Sequence, residues 1–361
     1  MAATKKSEFA LKAQPEYMAL DPAFKPLPKN GHLSEIDPEF ATMLPAVEDA
    51  MAGLWAFSEW APFRQAWLAP GPLPEGCPEE GRDVVTEVRR VPVRDGAEVE
   101  IKVYRRSGGG GGGGAALVLK THGGGWAIGS HVTEEAENLM LAGKSGVVVV
   151  SVDYRLAPEY PFPTPINDSF DVLKWCKANA SSLGVDPERI ILAGGSAGGN
   201  MAAVLALKAR DEGVTGVIGQ ILSFPVSCHP KFFDSVKDKY ELGSYQQNYN
   251  APVVGILKME FFWDVYEPKP SPDPYHSPLL AKDLSGLPPA LVQVAGLDPL
   301  RDEGIAYAEA LKAAGNDVTL YTYKGLPHVF PSFLVTLPQT KEFYERQAAF
   351  VKGLLEKSAK A

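Results

Sequence analysis

The residues that could do chemistry gather around Ser196. It stands in Gly194-Gly195-Ser196-Ala197-Gly198, a Gly-x-Ser-x-Gly pattern. The apolar run Arg189-Ile190-Ile191-Leu192 before it reads as a buried strand, and Met201-Ala202-Ala203-Val204-Leu205-Ala206-Leu207 after it reads as a helix. A strand that turns at once into a helix holds the serine on a strained corner, so positions 194 and 198 can carry no bulky side chain. The helix start points free N–H groups at the serine, and these favour negative charge. The chemistry expected is attack by the hydroxyl oxygen. That needs a base to take its proton and a carboxylate to orient the base.

Both partners are expected beyond later strands, in the order Ser, Asp or Glu, His. The chain has six histidines: His32, His122, His131, His229, His276 and His328. Only His328 follows a late strand and lies downstream of a candidate acid, so it is the expected base. The others read as structural. Three acids compete: Asp298, Asp302 and Glu303. Asp298 comes first after its strand, where a loop side chain can reach the histidine. Asp302 and Glu303 fall in the first turn of a helix, where acids are favoured for structural reasons alone. Attack on a carbonyl also needs preorganised donors for the developing oxyanion. The N–H of Ala197 and those of Gly124 and Gly125, in His122-Gly123-Gly124-Gly125-Trp126, are the candidates. His122 is expected to fix this loop and is not a rival base.

These residues must be held by a scaffold, and its elements can be read in order. Val84–Val93 and Glu98–Tyr104 alternate with period two around Asp95-Gly96, a hairpin signal. Strands follow at Ala116–Thr121, Gly146–Val152, Val217–Ser223, Pro289–Ala295 and Asp317–Tyr323, besides the one before Ser196. Helices are expected over 133–142, 165–179, 301–314 and 340–355. Alternating strands and helices predict an α/β doubly wound sheet. The glycine run Gly108–Gly114 costs too much entropy to order and lacks the Lys and Ser/Thr of a phosphate loop; it reads as a flexible surface loop. Residues 1–80 and 225–280 show no alternation and are rich in Pro, Trp, Phe and Tyr. Within the first of them, Pro38 to Trp67 reads as one or two short helices, broken at Pro45 and Pro62. Such aromatics either pack a small helical subdomain or form a lid over an apolar pocket.

Composition narrows the function classes. A chain of 361 residues with 45% hydrophobic and 22% charged residues is an ordinary globular protein. A formal charge of −9 with no Lys/Arg cluster argues against nucleic acid or an anionic membrane as partner. Cys77, Cys176 and Cys228 are too few and scattered for a disulfide framework, and none has metal-ligand spacing. With no apolar leader and no run of membrane-spanning length, a cytoplasmic protein without a membrane span is expected.

Taken together, His122-Gly-Gly-Gly, Tyr154-Arg-Leu-Ala-Pro-Glu, Gly-Gly-Ser196-Ala-Gly-Gly, Asp298-Pro-Leu-Arg-Asp-Glu and His328 resemble the hormone-sensitive-lipase-like branch of the α/β-hydrolases. The match covers roughly residues 84–225 and 276–355. The resemblance implies a mostly parallel eight-stranded sheet, a Ser196–Asp298–His328 triad, an oxyanion hole at Gly124, Gly125 and Ala197, and no cofactor or metal. It also implies a core of residues 81–224 and 277–361 beneath a helical cap built from residues 1–80 and 225–276. The family commonly carries Asp before the serine, where this chain has Gly195. The function implied is a serine carboxylesterase acting on a small ester of short or medium acyl or aryl type. A thioesterase, lactonase or deacetylase would use the same machinery. A non-catalytic small-molecule receptor on the same fold is the rival from another class, and the retained His328 argues against it. A homodimer is left open.

Overall fold

The computed structural model describes residues 9–21, 24, 28–108 and 114–359. The glycines at 109–113, expected in a flexible loop, lie outside the described residues. Eight strands form one sheet: β1 (Val84–Pro92), β2 (Glu98–Arg106), β3 (Ala115–Thr121), β4 (Val148–Asp153), β5 (Val185–Gly195), β6 (Val217–Ser223), β7 (Ala290–Ala295) and β8 (Val318–Tyr323). Their order is β1-β2-β4-β3-β5-β6-β7-β8. β2 is antiparallel to both β1 and β4, and every other pair is parallel.

The sequence dictates which strands lie inside. Val148-Val149-Val150 in β4 and all six residues of the largely apolar β7 are buried, as strands covered on both faces must be. Edge strand β1 instead buries only Val84 and Val91 and leaves most of its length exposed or half-exposed. Helices Glu135–Ser145, Thr164–Ala178, Ala197–Asp211, Arg301–Ala313 and Pro338–Ser358 connect or flank the strands. Strands β5, β7 and β8 therefore deliver Ser196, Asp298 and His328 to one end of the sheet. Cys176 is fully buried in helix Thr164–Ala178, and all three cysteines are free thiols.

The N-terminal helices correct the expected breaks at Pro45 and Pro62: the chain leaves the helix between Trp55 and Trp60 instead. Pro45 does not break the chain: a single helix runs Pro38–Trp55 straight through it. Pro45 lies on the exposed face, where water can satisfy the carbonyl whose partner it removes. Pro62 sits in the first turn of helix Trp60–Trp67, where its missing N–H has no helical partner anyway.

The aromatic-rich segments meet each other. Trp60 stacks on Phe261 with ring centroids 5.3 Å apart. Trp55 lies edge-on to Phe261 and to Phe262, at 5.5 and 5.8 Å. Phe9 touches Trp60, Phe63 and Phe261. Each such pair contributes about 0.5–1.5 kcal/mol beyond the area it buries. The rings come from chain segments some two hundred positions apart, so the contacts close the N-terminal helices onto helix Ile256–Tyr266.

Candidate active site

Ser196 has φ 56° and ψ −122°, a conformation few side-chain-bearing residues adopt. The strain is held from both sides. Its N–H donates to the Ser223 carbonyl on β6 at 2.8 Å, and its carbonyl accepts from Asn200 N–H at 3.0 Å. A Cβ at Gly194 would overlap the Gly198 carbonyl, and one at Gly198 would overlap that of Thr121. Glycine at both positions is thus a packing requirement of the corner. Asn200 adds two bonds of 2.9 Å to the carbonyls of Val226 and His276, tying the helix start to the segment after β6.

His328 reaches the serine from the loop after β8. Gly325, with φ 70°, turns this loop and donates to the Leu33 carbonyl at 2.8 Å. The His328 Nε2 lies 2.8 Å from Ser196 Oγ, and its Nδ1 lies 2.5 Å from Asp298 Oδ2. The other carboxylate oxygen, Oδ1, accepts from Leu300 N–H at 2.9 Å. Asn248 Nδ2 donates to the carbonyls of Gly296 and Asp298 at 3.1 and 2.9 Å, which fixes the loop carrying the acid. Ser196, His328 and Asp298 are 8%, 5% and 1% exposed, so the hydroxyl is the end nearest solvent. A carboxylate on Nδ1 favours the imidazole with its proton there, leaving the Nε2 lone pair to accept from the hydroxyl.

The two rival acids have other partners. Asp302 receives a two-pronged ion pair from Arg301 at 2.7 and 3.1 Å and accepts from Ser244 N–H at 2.7 Å. Glu303 accepts from Ser227 N–H at 2.6 Å, and burial pushes its carboxyl well above the usual range. Arg301 is fully buried and also reaches Ser34 Oγ at 2.7 Å. Arg301→Met should leave Asp302 as an uncompensated buried charge and cost about 3–5 kcal/mol. The check is a urea melt: the midpoint should fall with the slope unchanged.

The glycine loop after β3 lines the same cavity as Ser196. Gly124 and Gly125 have φ of 113° and 55°. The Gly124 carbonyl accepts from Ala127 and Ile128 N–H at 3.1 and 3.0 Å, closing the turn. Ala197 is the first residue of its helix, so its N–H has no helical acceptor. A Cβ on Gly124 would overlap the Ile128 carbonyl, and one on Gly125 would land in the Phe262 ring. Gly125→Ala should therefore shift the loop, and with Gly125 N–H as a proposed oxyanion donor kcat should fall by about 10²–10³, with a smaller change in KM. Steady-state kinetics on one ester checks this; a loss confined to KM would assign the glycine to substrate binding alone.

Several positioning residues escaped the sequence reading. Tyr154 stacks on His122 with ring centroids 4.2 Å apart and donates to the His122 carbonyl at 2.7 Å. Glu134 accepts from Gly123 N–H at 2.6 Å and pairs with the fully buried Lys120, which also reaches Glu137 at 2.9 Å. Burial pushes the Glu134 carboxyl above its ordinary range, while Lys120 opposes the shift. A Cβ at Gly195 would sit 3.3 Å from Glu134 Oε1. Glu134 thus brings a carboxylate beside the position where the resembled family commonly carries Asp. The signal was there: Lys120 interrupts an apolar strand, and a lysine buried in that way requires an acidic partner.

A cavity of about 250 Å³ opens over Ser196 and His328. Trp55, Trp67, Val253, Met259, Phe262 and Phe333 are among its walls, so both aromatic-rich segments contribute. Among the described residues no helix is long and apolar enough to cross a membrane.

Comparison with known proteins places the chain among its relatives. The family described as "alpha/beta hydrolase fold" matches residues 118–332. An AB hydrolase superfamily protein of Schizosaccharomyces pombe is 36% identical over 323 residues, 86% of this chain and 91% of the relative. The carboxylesterase NlhH of Mycobacterium tuberculosis is 39% identical over 244 residues, 66% of this chain and 74% of the relative. Among solved structures, the hyperthermophilic esterase of Pyrobaculum calidifontis is similar with TM-score 0.74 and 34% identity. It covers 89% of this chain and 99% of that one.

Proposed function

Since the chain belongs to the α/β-hydrolase fold family, in its hormone-sensitive-lipase-like carboxylesterase branch, and is a serine ester hydrolase, we propose that Ser196, His328 and Asp298 perform its reaction on short or medium acyl or aryl esters. The observation that carries the assignment is the unbroken contact from Asp298 Oδ2 through His328 to Ser196 Oγ, at 2.5 and 2.8 Å, beneath an apolar cavity.

The sequence of events follows from the donors and acceptors. Ser196 Oγ attacks the ester carbonyl carbon as its proton passes to His328 Nε2. The imidazolium that forms keeps its Nδ1–H on Asp298. The carbonyl oxygen becomes an oxyanion and takes up the N–H groups of Gly124, Gly125 and Ala197. The intermediate collapses, the C–O bond to the alcohol breaks, and His328 returns the proton to the leaving oxygen. Water then attacks the acyl-serine by the same route, and His328 is again the base.

The cavity supports a small acyl group. Its 250 Å³ lies below the roughly 300–1,000 Å³ of sites for drug-sized ligands. Residues 1–80 and 225–276 act as its cap in this reading, supported by the walls they supply. The free thiols support a reducing, cytoplasmic setting. A panel of p-nitrophenyl esters from acetyl to dodecanoyl tests the substrate class. The expected profile peaks among the shorter chains and falls at dodecanoyl. A profile still climbing at the longest chain would contradict it.

A further inference from the structure

We propose that Glu100, His131 and Asp153 form a binding site for a divalent transition-metal ion of the zinc class, at the root of the glycine loop. The fold brings the three together. Glu100 on β2 and Asp153 at the end of β4 are register partners across the antiparallel pair. His131 opens the short helical turn His131–Glu134 that follows the glycine loop. One donor atom from each residue lies within 4.8 Å of the others. His131 Nε2 and Glu100 Oε1 are 3.4 Å apart. That is about the separation of two ligands that each sit roughly 2.0–2.1 Å from a tetrahedral ion.

The histidine supplies an independent observation. His131 is 7% exposed, and its Nε2 has no hydrogen-bond partner among the described residues. Its other ring nitrogen, Nδ1, faces Ser151 Oγ at 3.4 Å. A proton on Nδ1 donated to Ser151 leaves the Nε2 lone pair directed at the two carboxylates. Metal-binding imidazoles are fixed in this manner by their second nitrogen. His122 repeats the pattern from the other end of the loop. It is fully buried, its Nδ1 lies 2.8 Å from the Gly123 carbonyl, and its unpartnered Nε2 lies 3.8 Å from Asp153 Oδ1. With their other ring nitrogens protonated, two buried imidazoles thus aim lone pairs at two carboxylates, an arrangement that a bound cation would satisfy. Arg90 offsets part of the charge, but it holds the outer oxygen, Glu100 Oε2, at 3.0 Å and leaves Oε1 to the site. Mixed imidazole and carboxylate donors favour zinc, cobalt or nickel over magnesium or calcium. Glu100 and Asp153 are partly exposed, which gives an ion a way in and leaves room for water as a ligand.

An ion here would pin both ends of the glycine loop, His122 and His131, to strands β2 and β4. Its effect on the oxyanion donors rests on the function proposed above; its binding does not. The experiment uses full-length protein freed of metal with a chelator. Calorimetry with zinc chloride should give one ion per chain and a raised melting temperature. Cobalt chloride should give the visible absorption of a four-coordinate nitrogen and oxygen site. His131→Ala and Glu100→Gln should each weaken zinc binding by at least about tenfold, with circular dichroism confirming that both fold. Zinc binding no tighter than about 1 mM, binding undiminished in both variants, or an equal preference for magnesium would overturn the proposal. A chain that binds zinc as expected but cleaves no ester would count against the ester chemistry and leave the metal site standing.

Discussion

Ser196→Ala should lower kcat on a short p-nitrophenyl ester by on the order of 10⁶ while leaving KM within a few-fold. The substitution removes the atom that His328 Nε2 contacts at 2.8 Å and little else. The cavity walls and the amides of Gly124, Gly125 and Ala197 are untouched, so the ester still binds. The corner itself should survive, because its φ of 56° is imposed by backbone bonds to Ser223 and Asn200 rather than by the side chain. Residual turnover above the uncatalysed rate, about 10³–10⁴, is expected from the remaining donors alone. Stopped-flow release of p-nitrophenol separates the two states: the parent chain shows a burst if deacylation is slow, and the variant shows none.

Asp298→Asn should lower kcat by about 10⁴ with the fold intact. The size of the effect follows from Leu300. Its N–H donates to Oδ1 at 2.9 Å and so demands an acceptor there. An asparagine must keep its carbonyl oxygen at that position and turn its NH₂ toward His328. The Nδ1 atom then has to accept, the ring proton moves to Nε2, and the imidazole faces Ser196 as a donor. It can no longer take the hydroxyl proton. Asp302→Asn offers the contrast, because that carboxylate pairs with Arg301 and does not bond His328. It should weaken stability more than the chemical step. Rates that fell further for Asp302→Asn than for Asp298→Asn, in folded protein, would reverse the assignment of the acid.

Much of the scaffold was legible because its signals are local. A strand such as β4 opens on the unbroken apolar run Val148-Val149-Val150, the kind of run expected of a strand buried on both faces. The glycines at 194 and 198 were legible because a backbone carbonyl occupies the space a side chain would need. Asp298 and His328 could be preferred because each comes first after a late strand, and parallel strands deliver such loops to one end of the sheet. What stayed hidden depends on contacts between distant segments. Nothing near Glu134 in sequence announces Lys120 or Gly123, and nothing near Phe262 announces Gly125. Pro45 was misread for a related reason: local preference ends a helix at proline, but here the helix continues with the proline on its wet face. The Glu100, His131 and Asp153 cluster draws on three separate elements, with no short spacing to mark it.

In the proposed reaction the hydroxyl of Ser196 carries the acyl group during turnover. Peptide mapping by mass spectrometry after brief reaction with a fluorophosphonate measures this directly. A single adduct is expected, on the peptide containing Ser196, with none in Ser196→Ala. An adduct on a different residue, or full ester hydrolysis by protein that the reagent leaves unlabelled, would contradict it.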